Sequence, residues 1–184
     1  MLTTRIFFVL VFCFVSTVAL AGDFTLTSPT IGASHLLTEE QVFNGFGCTG
    51  KNRSPALRWT AGPAGTRSYA VTVYDPDAPT GSGWWHWVVY NLPANVTELA
   101  VGAGDASGKL LPPGAVQGRT DYGTHAFGGA CPPKGDKPHR YLFTVYALKI
   151  AKIEVPPDSS AALIGFMLHA NALGSASFTA TYGR

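Results

Sequence analysis

The sequence predicts a mainly β domain built on an antiparallel sheet, and three observations carry that prediction. Three runs rich in β-branched and aromatic residues have strand length: Tyr69 to Tyr74 (YAVTVY), Trp84 to Tyr90 (WWHWVVY) and Arg140 to Leu148 (RYLFTVYAL). Only Ser160 to Leu173 carries a helical period, which argues against strands alternating with helices. Glycine (21) and proline (13) are abundant while charged residues make up 13% of the chain, a composition of turns, stiff loops and a large apolar core.

Each element follows from its local pattern. Phe24-Thr25-Leu26-Thr27 alternates and ends at Pro29, a first strand. Residues 32–56 read mostly as loop, with one turn of helix possible over 37–43 and Thr38 as its cap. YAVTVY is stopped by Asp75-Pro76, and WWHWVVY lies between Thr80-Gly81-Ser82-Gly83 and Asn91-Leu92-Pro93. All three long runs are apolar on both alternations, as central strands covered on both faces are. On a regular strand His86 shares a face with Trp84 and Val88, opposite Trp85, Trp87 and Val89. Leu163, Phe166, Met167 and Ala170 form the apolar stripe of the helix, with Asp158 or Ser159 as N-cap and Gly174 as stop. His169 on that helix reads as a packed or surface histidine. Ser177 to Tyr182 reads as a last strand with one wetter face.

Residues 1–21 have the form of a cleavable export signal. Arg5 precedes an apolar run from Ile6 to Val15, and Ala19-Leu20-Ala21 is a small-x-small cleavage pattern. Residues 22–184 then form a single domain, exported and periplasmic or secreted from a bacterium. A retained anchor is the alternative, although the apolar run is short for a bilayer. With Cys13 lost in the leader, Cys48 and Cys131 remain as an even pair in an oxidising compartment, and a disulfide between them is expected over two free thiols. The formal charge of +2 gives no electrostatic case for nucleic acid, and allows at most peripheral membrane contact.

Scarce ionisable groups sit beside the stiff strands. Asp75 and Asp77 lie in Asp75-Pro76-Asp77-Ala78-Pro79, a loop whose two prolines fix φ and remove two donors. Asp75 is either a strand-end acceptor of backbone N–H groups or a site carboxylate. His86 is either a buried structural histidine or the polar group of an aromatic pocket. His139 opens the third strand, Arg140 points away from it, and Tyr141 returns to its side. Gly118 to Gly123 is a polar turn able to supply backbone donors or an arginine–aspartate brace. One aspartate, two histidines and a tyrosine suit a small anion, and equally a zinc or iron ion. No nucleophile motif and no glycine-rich phosphate loop occurs.

DPDAPTGSGWWHWVVYNLP (75–93) and CPPKGDKPHRYLFTVYAL (131–148) resemble the two signature blocks of the phosphatidylethanolamine-binding protein family, in its bacterial Raf-kinase-inhibitor-like branch. Residues 44–59, 116–123 and 165–173 are similar to that branch too. The resemblance implies a large central antiparallel sheet with a smaller sheet packed on it and few short helices. It implies a pocket for small anions or phosphoryl head groups, lined by Asp75, Pro79, His86, Cys131, Pro132, His139 and Tyr141 with Trp84 on the wall. Cys131 stands where eukaryotic relatives carry glycine, and Ala130 replaces a common proline. The kinase-inhibitor label belongs to eukaryotic members and does not transfer to an exported protein. The expected function is therefore non-enzymatic binding of an anion or phosphorylated head group, with no cofactor and no metal. A protein-interaction or inhibitor module with a vestigial pocket is a second reading. A hydrolase or metal-dependent catalyst using Asp75, His86 and His139 is a third.

Overall fold

The computed structural model describes residues 23–184, so the export signal and its cleavage point lie outside the described residues. In chain order the elements are β1 (Leu26–Thr27), β2 (Asn44–Gly45), β3 (Cys48–Thr49), β4 (Leu57–Trp59), β5 (Ser68–Asp75), β6 (Trp84–Pro93), β7 (Glu98–Leu99), β8 (Val116–Gln117), β9 (His139–Leu148), α1 (Ala161–Asn171) and β10 (Ala172–Tyr182). The three apolar runs become β5, β6 and β9, neighbours in a five-stranded sheet of order β10-β9-β5-β6-β8. All ladders between these strands are antiparallel. A three-stranded sheet, β1-β4-β7, and the β2-β3 hairpin complete the β-structure.

Both faces of the central sheet are covered, as the unbroken apolar runs require. One face buries Val71, Val73, Trp87, Val89, Tyr141, Phe143 and Val145 with Leu26, Leu57, Trp59 and Leu99 of the small sheet. The opposite face buries Ala70, Val88, Tyr90 and Leu148 with Ile153 and with Ala161, Ile164 and Leu168 of α1. Truncating a large side chain in either layer to alanine costs about 3–5 kcal/mol.

The alternation expected along β6 fails at His86. Val73 pairs with Trp87 and Tyr74 with Trp85, so His86 is an extra residue, a β-bulge. Beyond it the faces exchange. Trp85 joins Val88 and Tyr90 on the helix side, and Trp87 and Val89 join the small-sheet side. His86 thus keeps Trp84 as face partner, but its other companion is Trp87 instead of Val88. A second bulge at Tyr90 and Asn91 places Asn91 at φ 60°, where its amide bonds both backbone groups of Ile153.

The helix also departs from expectation. Its N-cap is Ser160, whose hydroxyl accepts the Leu163 N–H at 3.1 Å. At the other end it runs directly into β10 at Ala172, so Gly174 lies inside a strand and stops nothing. The buried stripe is Ala161, Ile164, Gly165 and Leu168, whereas Leu163 and Phe166 are 43% and 68% exposed. The cause is the near-uniform apolarity of the segment. When every face is hydrophobic, the period does not choose one, and the tether to β10 does. Over 37–43 a β-turn replaces the expected helical turn, with Gln41 N–H donating to the Thr38 carbonyl at 2.9 Å.

Candidate functional site

Antiparallel pairing brings the end of β5 and the starts of β6 and β9 together at one end of the sheet. Asp75, Trp84 and His139 are therefore neighbours before any loop is considered. Asp75 is buried and fully engaged. Its Oδ1 accepts the backbone N–H groups of Asp77 and Ala78 at 2.8 and 3.1 Å, while its Oδ2 accepts His139 Nδ1–H at 2.8 Å. The two geometries coexist in Asp75: Oδ1 terminates the strand, and Oδ2 faces the histidine on the cleft wall. Asp77 faces outward and grips Arg140 through a bidentate pair of 2.7 and 2.9 Å. That contact holds the Asp77 carboxyl down to about 2. Arg140 is thus directed away from His139, as alternation requires.

His86 is held by residues remote in sequence. Its Nδ1–H donates to the Gly128 carbonyl at 2.7 Å. Asn52 fixes that carbonyl's segment, accepting the Gly129 N–H at 2.7 Å and donating to the Phe127 carbonyl at 3.3 Å. A β-carbon at Gly128 would overlap the Tyr122 ring, so only glycine lets the segment pass. Burial pushes the His86 imidazole below its ordinary pKa, against smaller opposing effects of the Gly128 carbonyl and of Asp75. With Nδ1 bearing the proton, Nε2 presents a lone pair, 4.0 Å from Asp75 Oδ2.

All eight sequence-derived site residues line a single cleft of about 180 Å³: Asp75, Pro79, Trp84, His86, Cys131, Pro132, His139 and Tyr141. Three polar atoms on that wall are buried and have no hydrogen-bond partner among the described residues: Trp84 Nε1, His86 Nε2 and the Tyr141 hydroxyl. Burial, and after it the Asp75 charge, push the Tyr141 phenol well above its ordinary pKa, so it remains a protonated donor. His139 is differently employed. Its Nδ1 serves Asp75, and its Nε2 lies 3.5 Å from Asp136 Oδ2. His169 stands apart on α1 with its ring against Tyr146. Among the described residues no group of three His, Cys, Asp or Glu side chains is arranged to hold a metal ion.

The sequence reading missed part of the rim. Tyr122 and Phe46 also line the cleft, their rings stacked at 5.7 Å. Phe46 tips the β2-β3 hairpin at φ 52° and is 69% exposed. The Cys48–Cys131 disulfide forms as expected and ties this hairpin to the Cys131-Pro132-Pro133 wall. Arg184 adds a second tie, donating to the Pro132 and Gly47 carbonyls at 2.6 and 3.0 Å. The polar turn at 118–123 does act as a brace, though through aspartate and backbone alone. Asp121 Oδ2 accepts the Trp85 N–H at 2.7 Å, and Arg119 is exposed. In the sequence Tyr122 is one aromatic among many, within the polar turn at 118–123, and only the fold turns it toward His86.

Comparison with known proteins bears on the family of the fold as a whole. The sequence profile described as phosphatidylethanolamine-binding protein matches residues 33–183. The chain is 58% identical to the UPF0098 protein YbcL of Escherichia coli over 94% of both chains. It is 54% identical to the UPF0098 protein YbhB of the same organism, over 79% of this chain and 91% of that one. The crystal structure of Escherichia coli YbcL, described as a new member of the mammalian PEBP family, superposes with a TM-score of 0.86 over 89% of this chain and 99% of that one. A phosphatidylethanolamine-binding protein homologue of Chlamydia trachomatis, CT736, superposes with a TM-score of 0.67 at 26% identity, over 89% and 99% of the two chains. Profile, sequence identity and shared architecture converge: the chain belongs to the phosphatidylethanolamine-binding protein family, beside its bacterial members YbcL and YbhB.

Proposed function

We propose that the protein binds a small oxyanion or the phosphoryl head group of a larger molecule in this cleft, and that it works as a binder and not as a catalyst. The observation that carries the reading is the cluster of three unpartnered buried polar atoms on one wall. Buried polar groups are nearly always paired, and each one left unpaired costs about 1–3 kcal/mol. Two of the three, Trp84 Nε1–H and the Tyr141 hydroxyl, are donors available to the oxygen atoms of a ligand. The volume of about 180 Å³ suits a head group and is too small for a whole lipid. Trp84 Nε1 and the Tyr141 hydroxyl donate to the ligand, Asp75 and His139 hold each other in position, and Pro79, Pro132 and Phe46 form the apolar mouth. The disulfide at the rim supports an oxidising, extracytoplasmic setting.

Calorimetric titration of the wild-type protein with inorganic phosphate and with phosphoethanolamine tests this reading. Saturable one-to-one binding is expected, weakened about ten-fold or more in His139→Ala, where Asp75 loses its partner, and unchanged in His169→Ala. Absence of binding by either anion between pH 5.5 and 8 would overturn it.

A further inference from the structure

The charge lining the cleft restricts how an anion enters it. Among the described residues neither lysine nor arginine lines the wall, and a carboxyl, that of Asp75, does. The nearby guanidinium of Arg140 is committed outward to Asp77. An anion desolvated beside a carboxyl with no fixed cation is unfavourable by several kcal/mol. The wall offers two hydrogen donors, Trp84 Nε1–H and the Tyr141 hydroxyl, but at its third free position it offers an acceptor. That acceptor is His86 Nε2, because the Gly128 carbonyl fixes the proton on Nδ1. An unprotonated oxyanion would set lone pair against lone pair there.

We propose that the site binds its anion together with one proton, held between His86 Nε2 and an anion oxygen, and therefore prefers oxyanions that carry a proton of their own. This inference rests on the anion-binding reading above and adds its proton requirement and its selectivity. The balance is simple. Either a proton from solvent adds to the Nε2 lone pair and the resulting N–H donates to the anion, or a P–OH group donates to Nε2. In both cases the complex holds one proton more than the empty protein plus the fully deprotonated anion, taken from solvent where the anion has none and brought in by the anion where it carries a P–OH group. The groups facing His86 are Asp75 from β5, Tyr141 from β9, and Asp121 and Tyr122 from the turn after β8; His139 contacts the same Asp75 oxygen, and Asp136 lies beyond His139. Burial raises both phenols, so neither tyrosine exchanges a proton near neutrality. Burial also depresses His86, which leaves Nε2 bare in the empty cleft.

The test is calorimetric titration of the whole protein with sulfate, inorganic phosphate and phosphoethanolamine from pH 5.5 to 8.5. Each titration is run in two buffers of different ionisation enthalpy, which counts the protons taken up. Sulfate carries no proton over this range. Its binding should take up close to one proton and weaken about ten-fold for each unit of rising pH. A phosphomonoester, whose second pKa is about 6, should follow sulfate above neutrality. Inorganic phosphate still bears a proton there, so its uptake should fall towards zero and its advantage over sulfate should widen. His86→Gln should abolish the uptake, whereas Tyr141→Phe should weaken all three ligands and keep it. Sulfate binding with no proton uptake and no pH dependence overturns the inference while leaving anion binding intact. Uptake retained in His86→Gln overturns the assignment to His86 and moves the proton to His139. Failure of all three anions to bind at every pH removes both the function and this consequence of it.

Discussion

His86 is a buried imidazole whose neutral form the fold prefers, and this has a sign. Burial sets its folded pKa below the ordinary value of 6.5, so between the two values the unfolded chain binds more protons. The empty protein should be fully stable above about pH 6.5 with respect to this group. It should lose up to about 1.4 kcal/mol per pH unit as pH falls from there to the folded pKa. Thermal unfolding between pH 5 and 8 measures the slope, and His86→Gln should flatten it. Tyr141 supplies the complementary case. Its hydroxyl has no partner among the described residues, so Tyr141→Phe should leave the unfolding temperature of the empty protein unchanged or higher. The same substitution should weaken phosphate about ten-fold or more, since a hydrogen bond to a charged group is worth roughly 1.5–3 kcal/mol. A drop in stability equal to the loss in affinity would make Tyr141 a structural residue.

Among the elements, β6 and α1 show where local pattern ceases to decide. Both are apolar on every side, and a bulge in one and a tether in the other choose which residues turn inward. For α1 the consequence is measurable. Ile164→Ala should cost about 2–5 kcal/mol because Ile164 is packed under the sheet. Phe166→Lys should change stability by less than about 0.5 kcal/mol because Phe166 projects outward. Urea unfolding of the two variants distinguishes the faces, and the reverse order would restore the stripe expected from the sequence. The loops were more legible. Two prolines in 75–79 and three in 132–138 marked stiff walls, and both walls line the cleft.

At the scale of the molecule, the cleft is assembled from segments that the chain order separates widely, and the rim is closed covalently. Cys48–Cys131 spans 83 residues and ties the Phe46 hairpin to the Pro132 wall. Replacing both cysteines with serine should lower stability by about 2–4 kcal/mol. The central sheet should survive, since none of its five strands contains either cysteine. Anion affinity should fall at the same time as the hairpin loosens. Denaturant unfolding and phosphate titration of the double variant, compared with wild type under oxidising and reducing conditions, check both effects. An unchanged midpoint in the variant would show that Arg184 and the Phe46–Tyr122 stack suffice to hold the rim.

Beyond the family resemblance, which supplied the membership of the cleft, the sequence by itself determined the class of fold, the three central strands and the cysteine pair, and it singled out Asp75, His86, His139 and Tyr141 as polar groups beside stiff strands. Each of those rests on short-range chemistry: strand propensity, proline stiffness, a count of cysteines, and charge that is rare enough to be conspicuous. Tertiary structure alone decided the bulge that turns His86 and Trp87 to one face, the tautomer that leaves Nε2 bare, and the parts of Asn52, Gly128 and Tyr122 in holding it. Those outcomes depend on partners far along the chain from His86: Asn52 lies 34 residues before it, Tyr122 36 and Gly128 42 residues after it. No local pattern encodes such distances. A hydrogen bond to a backbone carbonyl leaves no mark on the residue type that supplies it, and a side chain's face is known only once the ladder register is set.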